Sequence, residues 1–216
     1  MKSILVIGMS RFGRHLASQL QSLGNEVMVV DSNPAIIDSL SEEFVDMHIG
    51  DCTNEGVLRA LGVSGFDLCF VTIGEDFQSS LVITSLLKKL DAKCVIAKAN
   101  QSIQAELLKK IGADEVVYPE REYAERLAIR YNAKNIFDYV QLTSEYSIYE
   151  LPILPDWVGH TVSEINVRRK YRVNIIAIKN GTRLSPMPGP DYVFCSDDHL
   201  CVIGKAADVF KLSART

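Results

Sequence analysis

Ile4-Leu5-Val6-Ile7-Gly8-Met9-Ser10-Arg11-Phe12-Gly13 decides the fold. The apolar run reads as a buried strand and Gly8 to Gly13 as a turn opening an amphipathic helix; Val27-Met28-Val29-Val30 reads as a second strand, ending on Asp31. Strand, glycine turn, helix, strand, acid is the layout that holds the phosphates and ribose of an adenine nucleotide. Gly8 allows the tight turn and Gly13 lets the helix pack close on the strand, so free helix N–H groups and the positive end of the helix dipole face a pyrophosphate. Asp31 stands where a carboxylate can accept both ribose hydroxyls. One position departs from the pattern: the middle glycine is Ser10, whose side chain either crowds a phosphate or donates to it. The competing reading is a βαβ unit that has lost its ligand.

The composition of the 216 residues is that of a soluble globule long enough for one large domain or for one domain plus a small one. A net charge of -4 gives no general attraction to nucleic acid or anionic lipid, which argues against DNA binding. Cys52, Cys69, Cys94, Cys195 and Cys201 form no Cys-x-x-Cys pair and read as reduced thiols of a cytoplasmic protein. His15, His48, His160 and His199 are scattered without zinc-ligand spacing. Strand one begins almost at once, leaving no room for a signal peptide, and apolar runs stay far short of the ~20 residues of a membrane span. Any membrane role therefore passes through a partner.

Further along, the chain alternates strand and helix. Asn33-Pro34 opens a helix toward Phe44; strands are expected at 45–49, 66–73, 94–97 and 115–118, and helices at 54–61, 75–90 and 102–111. Strict alternation predicts an α/β, Rossmann-like doubly wound parallel sheet with helices on both faces. Ligands of such sheets sit beyond the carboxyl ends of the strands, where this chain collects Asp31 and Ser32, Asp51 and Thr53, Gly74 and Gln78, and Lys98 and Asn100. Ala124, Leu127, Ala128 and Tyr131 fit one helical face, a shorter helical stretch follows to about Val140, and there the rhythm ends. The remainder reads as a strand at 146–152, a helix at 162–171, a strand at 173–178, an Asn180-Gly181 hairpin turn, a strand at 200–203 and a last helix from Ala206. The expected domains are 1–140 and a small α+β module at 141–216.

With both halves read, the chain resembles the cytoplasmic regulatory subunits of bacterial potassium uptake systems of the Ktr and Trk type, built from an RCK (TrkA-N) and an RCK-C (TrkA-C) domain. The likeness rests on the glycine turn, Val29-Val30-Asp31, Gly50-Asp51-Cys52-Thr53, Thr72-Ile73-Gly74 with Gln78, and Ile111-Gly112-Ala113-Asp114 leading to Tyr118-Pro119-Glu120. In the second half it rests on Ser144 to Ile148, Asn166 to Tyr171, Ser185-Pro186-Met187-Pro188 and Asp198 to Gly204.

The resemblance implies a subunit that binds ATP, ADP or NAD(H) without turning it over, assembles from dimers into a ring, expected to be octameric, and gates a membrane potassium-translocating subunit from the cytoplasmic face. Gly8, Ser10, Arg11, Gly13, Asp31, Asp51 and Thr53 would line the nucleotide. Met9, Phe12, Ser32, Cys52, Ile73, Gly74, Gln78 and Lys98 are further candidates, and Arg11 would reach toward terminal phosphates. Glu120 is a candidate ligand for Mg²⁺ or Ca²⁺, with an exposed helix-capping acid as the alternative. Arg168, Arg169, Ile175, Ile176 and Pro188 are candidates for a second ligand, cyclic di-AMP, bound across a two-fold axis, although strand alternation gives one of the two isoleucines to the core. The competing enzymatic reading is an NAD-dependent oxidoreductase, disfavoured because hydride transfer needs a positioned acid or base and the chain has no Tyr-x-x-x-Lys pair.

Overall fold

The computed structural model describes residues 1–132 and 136–215, and the chain parts into two compact units, Met1–Glu120 and Arg121–Thr216. In the first, strands β1 (Ser3–Ile7), β2 (Glu26–Asp31), β3 (Asp46–Ile49), β4 (Leu68–Val71), β5 (Val95–Lys98) and β6 (Glu115–Val117) form one parallel sheet in the order β3-β2-β1-β4-β5-β6. Between them run α1 (Arg11–Ser22), α2 (Pro34–Asp38), α3 (Glu55–Leu61), α4 (Phe77–Lys89) and α5 (Ser102–Lys110). Strand alternation makes the two layers: Leu5 and Ile7 pack with Val71, Ile83 and Leu87, whereas Ile4 and Val6 pack with Ala17, Val29 and Leu40. Asn33 and Asn54 cap α2 and α3 through their side chains. Gly24, Gly62 and Gly112 take positive φ after α1, α3 and α5, where a left-handed residue ends the helix without a Cβ penalty. The strand order reverses between β1 and β4, which places the ligand crevice at the carboxyl end of β1.

The second unit is an antiparallel sheet in the order β10-β9-β11-β8-β7, from β7 (Asp138–Gln141), β8 (Tyr146–Pro152), β9 (Asn174–Asn180), β10 (Arg183–Pro186) and β11 (Asp198–Lys205). It carries α7 (Val162–Ile165), α8 (Val167–Tyr171) and α9 (Ala206–Ser213). Its core gathers Leu151, Trp157, Phe194, Leu200, Val202, Val209 and Leu212. The chain enters it through α6 (Pro119–Asn132).

The structure differs from expectation at four places. The units part at Glu120 rather than near residue 140, because Ile136 is buried in the second core and β7 pairs with β8. Of the helical stretch expected up to Val140, residues 133–135 lie outside the described residues and Asp138–Gln141 is strand. The helix expected over 162–171 is two short ones, because Asn166 adopts the left-handed conformation (φ 52°) that asparagine tolerates. The helix expected to run toward Phe44 closes after Asp38.

Candidate nucleotide site

Gly8 sits at φ +92° and donates its N–H to the Val30 carbonyl at 2.8 Å, so the chain leaves β1 in a conformation that disfavours any side chain. At Gly13 a Cβ would collide with the Gly8 carbonyl oxygen and the Thr72 hydroxyl, because α1 is laid directly on the turn. The Thr72 hydroxyl is buried and lies 2.5 Å from the Gly8 carbonyl oxygen, locking the turn to the end of β4. Ser10, where the pattern has glycine, caps α1. Its hydroxyl donates to the Thr72 carbonyl at 2.7 Å and accepts the Gly13 N–H at 3.3 Å. The hydroxyl proton is thus committed inside the protein, and the serine serves the turn itself.

Around this turn opens a cleft of about 300 Å³ lined by Gly8, Met9, Ser10, Asp31, Ser32, Asp51, Cys52, Thr53, Ile73 and Gly74, all sequence candidates. It is also lined by Ile36, Gly50, Asp76, Ser79 and Ile83, which the sequence reading did not select. Asp31 accepts the Met9 N–H at 2.7 Å with one oxygen and the Asn33 N–H at 2.9 Å with the other, so it shapes the loops at the cleft. A carboxylate oxygen carries two lone pairs, so each retains capacity for a ribose hydroxyl. The Asp51 Oδ1 accepts both the Thr53 hydroxyl at 2.7 Å and the Thr53 N–H at 2.9 Å, and these bonds, the hydroxyl foremost, hold its carboxyl below the usual aspartate range. Asp76 caps α4 and is lowered in the same way by the Ser79 hydroxyl and N–H. An acid capping an apolar-periodic helix just after Gly74 was a signal available in the sequence. Burial first, then the charges of Asp51 and Asp31, push the Cys52 thiol up to about 12, so it is no nucleophile at neutral pH.

Five candidates lie outside the cleft lining: Arg11, Phe12, Gly13, Gln78 and Lys98. Arg11 and Gln78 are exposed. Lys98 is nearly buried, its side chain 7% exposed; its ammonium donates to Glu120 at 2.6 Å and lies 5.6 Å from the Phe12 ring centroid. That hydrogen bond holds the Glu120 carboxyl below the usual range. Glu120 is therefore engaged by a cation, and among the described residues no group of three His, Cys, Asp or Glu side chains is placed to hold a metal ion.

In the second unit a cleft of about 250 Å³ brings together Arg168, Ile175 and Pro188 with Ser163, Asn166 and Asn174. Arg169 and Ile176 lie outside its lining. A register shift between Cys201 and Val202 sets Val202 against Ile175, which both lines this cleft and packs on the second core.

The TrkA-N domain family matches residues 4–119 and the TrkA-C domain family residues 147–215. Ktr system potassium uptake protein C of Bacillus subtilis is 36% identical over 99% of this chain and 97% of its own length, and protein A of the same organism 32% identical over 96% and 94%. The GsuK channel superposes with a TM-score of 0.73 at 23% identity over 99% of this chain, and the same channel bound to NAD with 0.70 at 23% over 96%. At that identity the likeness is one of fold, and this chain spans less than half of those channel chains, 39% and 38%. No helix among the described residues is long and apolar enough to cross a membrane. With both domains in order along nearly the whole length of its relatives, the chain belongs to the TrkA-N/TrkA-C family that includes the Ktr potassium uptake proteins.

Proposed function

We propose that the chain is a nucleotide-responsive regulatory subunit of a potassium uptake system, working on the cytoplasmic face of a membrane potassium-translocating subunit. The observation that supports this reading best is the full-length relation to two Ktr potassium uptake proteins, joined to a glycine turn and acidic cleft suited to an adenine nucleotide, ATP, ADP or NAD(H). The α1 N-terminus and the backbone of Gly8 to Ser10 receive the phosphates, Asp31 the ribose, and Asp51 and Thr53 the base edge. Nucleotide binding is a switch rather than a turnover step: Cys52 is a neutral thiol, and Asp31, Asp51 and Asp76 serve as acceptors for loop donors and for the ligand's hydroxyls. Copies of the chain assemble from dimers into a ring, octameric on this reading, and a ligand changes its shape only through different affinities for its forms. The second cleft, with Arg168 for phosphates and Ile175 and Pro188 for bases, is the place for cyclic di-AMP shared between two chains.

Calorimetry of the purified protein with ATP, ADP, NADH and NADPH tests the nucleotide reading, and a cofactor-reduction assay tests the oxidoreductase alternative. Co-expression with the membrane subunit in a potassium-uptake-deficient bacterium tests the role. The expected result is nucleotide binding, no cofactor reduction and restored uptake only with both subunits; uptake indifferent to this chain would refute the regulatory role.

A further inference from the structure

We propose that Arg169, Lys170 and Arg172, on and just after α8, form a docking surface for the anionic face of a lipid bilayer. The inference rests on the proposed function only in that a ring bound to a membrane protein is held near such a surface. The net charge of -4 averages two unlike units: up to Glu120 the chain carries ten Lys and Arg against sixteen Asp and Glu, and beyond it thirteen against eleven. In the second unit the cations crowd into the run Arg168-Arg169-Lys170-Tyr171-Arg172. Val167 is buried and Tyr171 packs on the core, so the residues between them fan over the outer side of the helix, all exposed. Arg168 lines the second cleft, whereas Arg169, Lys170 and Arg172 lie outside its lining. Among the described residues none of these cationic side chains has an ion-pair or hydrogen-bond partner. Acids of the neighbouring elements are engaged: Glu164 of α7 accepts the Thr161 N–H at 2.8 Å, and Asp156 pairs with Arg215, whose guanidinium also donates to the Tyr171 hydroxyl. Carboxylates farther off are screened, because the Debye length is about 10 Å at 0.1 M salt. The patch therefore acts by its own charge.

The backbone supplies a second, independent sign. Arg172 follows α8 in the left-handed conformation, at φ +57°. After α1, α3 and α5 the same conformation falls to Gly24, Gly62 and Gly112, and after α4 to Asp91, a residue type that tolerates it. Arginine carries the full Cβ penalty there and returns no side-chain bond within the chain. Strain held where glycine would relieve it points to work done outside the protein. Three cations fanned outside any cleft suit a plane of phosphates better than one enclosed ligand. They are few for a nucleic acid, whose binders neutralise about 6–10 phosphates, but on a bilayer the patches of several copies in the proposed ring add up.

The test is sedimentation of the full-length protein with vesicles of phosphatidylcholine, alone or with phosphatidylglycerol, at about 0.05 M and about 0.5 M salt. Binding is expected only to the anionic vesicles and only at low salt. Each cation at an anionic surface contributes about fivefold to partitioning, so Arg172→Gly should bind about fivefold more weakly, and Arg169→Gln combined with Lys170→Gln about 25-fold more weakly. Arg172→Gly is relieved of strain and should unfold about 2–4 °C higher than wild type, so its loss of binding cannot come from a damaged fold. No sedimentation with anionic vesicles at low salt overturns the proposal, as does binding that both variants leave unchanged. Capture by poly-glutamate beads without vesicle binding assigns the patch to an acidic protein and overturns the membrane surface too. The vesicles hold lipid and no membrane protein, so a failure here leaves the regulatory reading to the uptake assay, and a failure of that assay leaves the vesicle result standing.

Discussion

The two units use aspartate in opposite ways. In the first, Asp31 is half-buried and Asp51 and Asp76 are exposed, each holding a backbone N–H of its own loop at the rim of one cleft. In the second, Asp198 is fully buried and accepts from the Asn180 amide at 3.0 Å, the Tyr192 hydroxyl at 2.9 Å and the Cys195 N–H at 2.8 Å. Burial, then the bond to Asp198 and its charge, pushes the Tyr192 phenol up to about 12, so it remains a donor at any physiological pH. A carboxylate with lone pairs to spare at a solvent-facing strand end is available to a ligand. One that is buried and saturated by internal donors fixes loops to one another and is closed to ligands.

The contrast breaks first at Asp198. Asp198→Ala leaves Asn180, Tyr192 and the Cys195 N–H without their acceptor and should cost about 3–5 kcal/mol, measured by urea unfolding of the full chain. Asp31→Ala should cost about 1 kcal/mol, since water can take its place on the Met9 and Asn33 N–H groups. Equal losses at the two sites would dissolve the distinction.

Gly13→Ala is the next largest. Its Cβ meets backbone at the Gly8 carbonyl as well as the Thr72 hydroxyl, so α1 must move off the turn. A loss of about 2–3 kcal/mol is expected together with loss of nucleotide binding by calorimetry. Gly24→Ala meets nothing within 4 Å and strains only its positive φ, so it should cost about 1 kcal/mol and leave binding intact.

How far these units were legible follows from the same contrast. In the parallel unit, local signals agree with the tertiary answer: apolar runs fill strands buried on both faces, Asn33 and Asn54 cap, and Gly62 stops α3. The turn and Asp31 were readable because the chemistry there depends on residue type at fixed spacing. Asp76 was readable as a helix cap, but that it and Ser79 reach the cleft depends on how α4 packs on β4 and β5, which periodicity does not reveal. In the antiparallel unit tertiary context overrides local pattern. Asp138-Tyr139-Val140-Gln141 is strand because β8 offers it an edge, and Arg183 to Pro186 is strand because the Asn180-Gly181 turn folds it back on β9. Ser10 was legible as a departure from glycine and its cap on the Gly13 N–H is local, but its bond to the Thr72 carbonyl joins residues far apart in sequence.

A smaller effect is expected for Asp31→Asn. The ionised carboxylate repels a ribose 2′-phosphate, so wild type should bind NADPH worst of the nucleotides tested. The amide removes the repulsion, and the ratio of NADPH to NADH affinity should rise about tenfold. An unchanged ratio would mean that Asp31 serves only the loops it holds.

The finest probe is Thr53→Val beside Thr53→Ser, because it acts on one bond of one exposed acid. The Thr53 hydroxyl is the foremost reason that the Asp51 carboxyl titrates below the ordinary 3.8. A group whose folded-state pKa is depressed contributes stability that is fully present above its unfolded value and is lost as pH falls through the folded one. Removing the hydroxyl moves that loss to higher pH, toward the unfolded value, since only the backbone N–H of residue 53 then favours the ionised Asp51. Near neutrality Asp51 is ionised in both proteins, so nucleotide affinity there should change by no more than about twofold. The difference belongs to the acid limb, where Thr53→Val should lose nucleotide at a higher pH than wild type, while Thr53→Ser, which keeps the donor, follows wild type. NMR titration of the Asp51 carboxyl gives the shift directly, and affinity measured across the same pH range shows whether the ligand feels it. A carboxyl that moves while the affinity profile stays in place would put Asp51 with Asp198, as an acid that serves its own loop and not the ligand.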